Sequence, residues 1–323
     1  MKNIKTLFFF CFVLFFLCSC ATSLKVAVQR PAELDLDGAN SICVMPFSFK
    51  NNFFDFFGHP SGETISDYLT EKLQDRLLAS NYFKVINPNR IGPSMQQESK
   101  APCDVYITGS VYNFYDRIHP FKKKYKVKDK DGKEKERIKI EYERDIYFTV
   151  GYKVINSQTQ EIIFSSQKNF DLNSYRYDEK WELPSVFSMA QNEMDSLIKD
   201  ILNKLEPYTI TRRIPLLKDK SDNPQMEYAD SLAKEGDITL ALAEFLEVYE
   251  STDSFEAGYN ASRILEAQGN FAEAEKIMLA LYQKTGNKKA LQALNEIRYE
   301  MQCANKLQKQ IAKKQQKDIL MEK

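Results

Sequence analysis

Few side chains in this chain of 323 residues are arranged for chemistry. The two histidines, His59 and His119, each stand next to a proline in loop-like surroundings. No His-x-x-x-His pair, Cys-x-x-Cys pair or aspartate-rich calcium loop supplies spaced metal ligands, and no Gly-x-Ser-x-Gly elbow or glycine-rich phosphate loop occurs. Carboxylates alone could still do acid–base work, so a cell-envelope hydrolase stays as an alternative. The expectation is a chain that is not an enzyme and uses neither cofactor nor metal. Cysteine placement is more informative. Cys11, Cys18 and Cys20 fall at the N-terminus, while Cys43, Cys103 and Cys303 form an odd set in the remainder. At most one pair of the latter can bridge, and whether Cys43 and Cys103 do so is open.

Cys20 closes a patterned segment. Lys2 and Lys5 precede an unbroken apolar run, Leu7 to Leu17, and Ser19 sits just before Cys20. This is the layout of a secretory signal peptide. The run is well short of the ~20 apolar residues needed to cross a bilayer as a helix. Leu17-Cys18-Ser19-Cys20 also resembles the bacterial lipobox, in which Leu stands three positions before a cysteine and a small residue one before it. The resemblance implies that residues 1–19 are a lipoprotein signal peptide, and that Cys20 becomes the mature N-terminus, carries palmitate-type acyl chains and makes the lipid bilayer a partner. Ala21 replaces the aspartate that retains some enteric lipoproteins in the inner membrane. A periplasm-facing anchor in the outer membrane is therefore expected, with the inner membrane and the cell surface left open.

Composition bounds the remaining chain. Lys+Arg and Asp+Glu are equal at 45 each, so no global field selects nucleic acid, and none is expected as a partner. A hydrophobic content of 43% with 28% charged residues describes a folded chain rather than a disordered one. Its length allows two domains.

The elements follow from periodicity. Residues 20–40 read as a tether. Ser41 to Phe47 is a short apolar strand, and residues 62–79 turn helical, with Ile65, Leu69, Leu73 and Leu77 in one stripe and Asn81 suited to the left-handed position beyond the helix. Tyr82 to Ile86 and Asp104 to Tyr115 read as strands, the latter with Gly109 marking a bulge or a close backbone approach. Residues 123–155 form a long hairpin turning at Asp131-Gly132, with a charged projecting tip. Glu161 to Asn169 is a further strand, and Leu183 to Leu205 a helix with Phe187, Met194, Leu197, Ile198, Ile201 and Leu205 on its apolar side.

The segments "ICVMPFS", "NYFKVINPNRI" and "CDVYITGSV" in this order resemble the curli-secretion lipoprotein superfamily. Related domains occur in penicillin-binding-protein activator lipoproteins and at the N-terminus of the TolB periplasmic protein. The matching positions are Met45-Pro46-Phe47, Phe83-Lys84-Val85-Ile86, and Cys103-Asp104 through Gly109, within residues 41–206. The resemblance implies a mixed sheet with flanking helices and transfers no catalytic chemistry. It also raises a second alternative, a subunit of a curli-type secretion channel. Against that reading, Lys123 to Lys130 holds only Tyr125 and Val127 as apolar residues among five lysines, the wrong density for lipid-facing strands.

After a linker at 207–221 comes a domain of repeats with a capping helix, 222–305, in which residues 222–286 repeat at a spacing of 33: Gly236-Asp237 aligns with Gly269-Asn270, Ala241 with Ala274, and Leu232 with Leu265. Two short amphipathic helices per unit resemble the tetratricopeptide repeat. The fold class expected is therefore α+β followed by an all-α helical-repeat domain, capped by a helix from Asn287 and ended by a basic polar tail, 306–323. The repeat resemblance implies a groove lined by the first helix of each unit. It would present Tyr259, Asn260, Arg263 and Glu266 in the second unit, and Met226 and Asp230 with Glu227 and Lys234 in the first. Asn260 stands where the family often bonds a peptide backbone. The expected role is a protein-binding adaptor or scaffold in envelope assembly, with envelope proteins as partners and self-association left open.

Overall fold

A computed structural model of the chain describes residues 22–50, 60–87, 103–128, 130 and 132–321. The leader with Cys20, and also His59 and Asp131, lie outside the described residues. The architecture is mixed sheet with flanking helices, joined to a helical C-terminal region. Two compact units result, and both are discontinuous in sequence: one takes the chain up to Pro31 together with Pro207–Lys309, the other Ala32–Glu206 and the chain from Gln310.

The first strand, β1 (Ser23–Arg30), belongs to the helical unit. The α/β unit holds β2 (Ser41–Val44), β3 (Ser48–Phe49), α1 (Pro60–Ser80), β4 (Lys84–Ile86), β5 (Val105–Lys128), β6 (Glu134–Asn156), β7 (Ile162–Asn173) and α2 (Val186–Leu205). The sheet runs β4-β2-β5-β6-β7, with β3 also on β5. β4, β2 and β5 are parallel, while β5, β6 and β7 are antiparallel. Alternation places Ile146, Phe148, Val150, Tyr152 and Val154 on the core face. Against it pack the α1 stripe of Ile65, Leu69, Leu73 and Leu77 and the α2 stripe of Met194, Leu197, Ile198 and Ile201. Ser185 caps α2 by accepting from Ser188 N–H. Asn81 has the left-handed backbone expected of it, φ 54°.

Of the two alternatives at Gly109, the structure shows the close approach: a Cβ there would lie 2.2 Å from the Phe47 ring. The bulge falls between Tyr112 and Tyr115, where Asn113 has φ 54°. One detail departs from the sequence reading. β5 does not stop at Tyr115 but continues to Lys128, paired with β6 throughout apart from that bulge. Cys43 and Cys103 are buried, free thiols.

The segment at 32–40, expected as part of a tether, is held against the basic polar tail. The last helix runs to Met321, and within this unit Lys313 pairs with Asp35 and Asp37 at 2.9 and 3.2 Å. Lys314 lies over the rings of Tyr82 and Phe83, and Gln310 bonds the backbone of Ala32 and Leu34. Gly38, with φ 71°, lets the loop come so close that a Cβ would meet the Lys313 carbonyl oxygen at 2.9 Å. Lys317 reaches Asp104 at 3.0 Å.

Asp104 ties these parts together. Its Oδ2 accepts from the N–H groups of Asn40 and Ser41 and from the Ser41 hydroxyl, at 2.9–3.0 Å. Burial pushes its carboxyl up, but the N–H groups, Lys317 and the hydroxyl more than offset this and hold it below the ordinary 3.8. A depressed carboxyl contributes stability that is present above the unfolded value and is lost as pH falls through the folded one. Asp104→Ala is expected to destabilise the α/β unit by about 2 kcal/mol at neutral pH. In denaturant melts, the gap to the parent should close as pH drops below 3.8.

Candidate functional site: the inner face of the helical unit

The helical unit begins with a ribbon rather than a helix. β1 pairs antiparallel with β8 (Tyr208–Pro215) over eight residues, Ser23 opposite Pro215 to Arg30 opposite Tyr208. Residues 23–30 and 208–215, expected as parts of the tether and the linker, are therefore strands, and Ile214 and Leu216 pack into the helical unit's apolar cluster. Period-two alternation puts Leu24, Val26, Val28 and Arg30 on one face with Ile210, Arg212 and Ile214. That face contacts α3 (Pro224–Glu235) and α5 (Phe255–Ala267), the first helices of two pairs completed by α4 (Ile238–Thr252) and α6 (Phe271–Thr285).

Each helix is bounded by its sequence. Asn223, Asp237 and Ser254 cap α3, α4 and α5, and Gly236 and Gly286 take the left-handed position after α3 and α6. Ala241 and Ala274 are fully buried, as close helix packing demands. The last helix, α7 (Lys288–Met321), caps the array through Ala290, Ala293, Leu294 and Ile297, packed with Leu265, Met278 and Leu281. With α4, α6 and the ribbon around it, α5 is buried on nearly every side.

Six of the eight groove residues expected to face a partner are accordingly covered, while Glu227 and Lys234 are exposed. Tyr259, Asn260, Arg263, Glu266 and Met226 are buried, and Asp230 is half-buried. Their expected exposure is corrected by the chain's own segment. Asn260 Oδ1 accepts from Leu217 N–H at 2.7 Å, and its Nδ2 donates to the Leu217 carbonyl at 2.8 Å. Met226 packs with Leu24, Ile214 and Leu216, and Asp230 accepts from the Thr22 hydroxyl and pairs with Lys234.

Beside this clamp, three arginines and three glutamates form one ion-pair network. Arg263 Nη1 lies 2.7 Å from Glu266 and its Nη2 2.7 Å from Glu296. Arg212 Nη1 stands 2.9 Å from both Glu266 and Glu300. Arg30 holds Glu300 in a two-bond fork at 2.6 and 2.7 Å and lies over the Tyr299 ring. Burial raises the Glu266 carboxyl, with Arg263 and Arg212 pulling it back only in part. A hollow of about 790 Å3, lined by Arg30, Arg212, Lys288, Leu291, Glu296 and Tyr299, borders the network.

Sequence reasoning missed Arg30, Arg212, Glu296 and Glu300. A signal was present: both arginines continue the apolar face of a two-residue alternation, and Glu300 continues the stripe of Ala293 and Ile297. Among the described residues, no cluster of three His, Cys, Asp or Glu side chains could hold a metal ion. The arrangement can grip an extended backbone and lock charged helices together.

No family model matches the chain, and no curated protein matches it. Some solved structures overlap about half of it. A candidate neuraminyllactose-binding hemagglutinin homolog from Helicobacter pylori is 10% identical over 55% of this chain and 89% of that one, with a TM-score of 0.32. PelC from Paraburkholderia phytofirmans, solved as a dodecamer, is 13% identical over 57% of this chain and 99% of that one, at 0.28. Lipoprotein GNA1162 from Neisseria meningitidis is 9% identical over 51% and 97%, at 0.28. Likeness of this depth establishes no shared role.

Removing one partner from a buried ion pair strands the other charge. Arg263→Ala is therefore expected to cost about 3 kcal/mol at neutral pH. A carboxyl raised in the fold weighs against stability as pH climbs through its folded value, and without Arg263 the Glu266 carboxyl rises further. The deficit of Arg263→Ala in thermal melts should thus shrink as pH falls toward 4.5, the ordinary value for Glu266, and stay constant in an Arg263→Ala, Glu266→Gln double variant.

Proposed function

We propose that this chain is an envelope lipoprotein, held by acylated Cys20 at the periplasmic face of the outer membrane, that acts as a non-catalytic protein-binding scaffold through a tetratricopeptide-like helical unit. The α/β unit is, in this reading, of the curli-secretion lipoprotein type, without a channel role. The observation that carries the scaffold reading is the Asn260 clamp on Leu217. It grips both the N–H and the carbonyl of an extended segment and is indifferent to that segment's side chain, so an extended piece of a partner could take the same place. Such a partner would displace the chain's own segment at 214–217. Arrays of helix pairs expose large surfaces and carry no intrinsic chemistry, which suits this role.

Two experiments test the reading. Cys20→Ser should abolish incorporation of labelled palmitate and release the protein from the membrane fraction; retention of both would refute the anchor. For the scaffold, crosslinking in cells should capture an envelope protein. Leu217→Pro removes the N–H that Asn260 accepts from and should raise the yield by loosening the internal strand, whereas Asn260→Ala should lower it. Unchanged yields in both variants, each shown folded by its melt, would place partner binding elsewhere.

A further inference from the structure

The β5–β6 arm carries a charge distribution that the rest of the fold does not use. β7 ends opposite Asp145, so residues 117–128 and 134–145 continue as a two-stranded ribbon. Beyond the Tyr142–Tyr177 bridge, the eight residues 134–141 at about 3.4 Å each carry it ~27 Å further. Residues 117–145 hold 12 Lys and Arg against 7 Asp and Glu, a net charge of 12 − 7 = +5 in a chain whose total is zero. Cross-strand register sorts these residues by face. Lys122, Lys124, Lys126 and Lys128 share one face with Ile118, Ile138 and Ile140. The opposite face carries Tyr125 and Val127 with Lys135 and Arg137.

Both kinds of side chain are exposed. Ile138 is 62% and Ile140 44% accessible, and Tyr125 is 40% accessible. Glu136 and Glu134 pair with Lys124 and Lys126 at 3.4 and 2.9 Å, leaving that face basic overall. The base of the arm is held by the Tyr142–Tyr177 bridge, by Arg176 over Phe121 and by Lys139 with Asp178.

We propose that the outer half of this arm binds the surface of an anionic lipid bilayer, with the ammonium groups of Lys122, Lys124, Lys126 and Lys128 on lipid phosphates and Ile138 and Ile140, on the same face, in the headgroup–acyl boundary. Charge complementarity selects an anionic occupant. The isoleucines select lipid over a soluble polyanion, because a polyanion has no use for exposed aliphatic groups standing among the lysines, whereas a bilayer interface takes both together. The inference goes beyond the scaffold reading and does not depend on acylation of Cys20.

The test reads the arm itself, so that the leader or an anchor does not confuse it. The chain has a single tryptophan, Trp181, itself 79% exposed. The full chain carrying Trp181→Phe and Ile138→Trp reports from the arm alone. With phosphatidylglycerol vesicles its emission should shift to the blue, and the effect should weaken at least tenfold with phosphatidylcholine vesicles or in high salt. Changing Lys122, Lys124 and Lys126 to Gln should remove the shift and changing them to Arg should restore it, with melts confirming that each variant is folded. No shift with anionic vesicles, or an equal shift with phosphatidylcholine, would overturn the proposal. So would an equal change with soluble polyphosphate, which would make the arm a polyanion site instead.

Discussion

The pairing of β1 with β8 is the constraint on which the helical unit rests. Two helix pairs leave the first helix of each pair uncovered on one side, and helical repeats ordinarily complete one another's cores by stacking. Here a two-stranded ribbon does that work instead. Leu24, Ile214 and Leu216 enter the same apolar cluster as Met226, Phe245 and Ile264. The ribbon's strands lie at opposite ends of the α/β segment, so closing it requires chain ends that are distant in sequence to meet. The entropy of closing such a loop rises only slowly with its length, and eight paired residues with an apolar face suffice to offset it. One consequence is that neither unit is a continuous stretch of chain.

Covering α5 on all sides has an electrostatic cost. Arg263 and Glu266 would be stranded if each had only the other, since desolvation of a buried pair can exceed its mutual attraction. The network removes that problem by sharing: Glu266 faces two arginines, Glu296 reaches two, and Glu300 is gripped by Arg30 and approached by Arg212. Because the six groups come from β1, β8, α5 and α7, the pairing is satisfied only when all four elements are in register. Apolar contacts of similar area would tolerate sliding. Alternating charges on fixed backbones do not.

Much of the α/β unit was legible because its elements bury one face at a time. A four-residue stripe locates α1, two-residue alternation locates β6, and the residues so chosen are those with the least exposure. The two helix pairs were legible from the glycines and alanines that helix ends and close packing require. What was not legible is long-range. Residues 23–30 and 208–215 are each too short and too polar to announce a strand without knowledge of the other, and they were read as tether and linker. The groove residues were identified by position, but their covering was invisible, because the cover comes from those same two segments. Asn260 was picked out as a backbone clamp, and the backbone it holds in the fold belongs to its own chain.

Lysine shows most plainly how the same residue type serves opposite ends. The tail lysines belong to a segment read as basic and polar, and Lys313, Lys314 and Lys317 each meet an acidic, carbonyl or aromatic partner within the α/β unit. Their spacing along α7 matches a loop and a strand start that present Asp35, Asp37 and Asp104. The arm lysines occur in a run just as dense, but on a ribbon they alternate between two faces, and glutamates on the facing strand meet only some of them. A helix end lying on an acidic loop neutralises its charge internally. A ribbon extending beyond its sheet keeps the charge at its surface. A net charge of zero for the whole chain therefore conceals a basic projection balanced by acidic residues elsewhere, and the projection is the part of that balance placed to meet something outside the molecule.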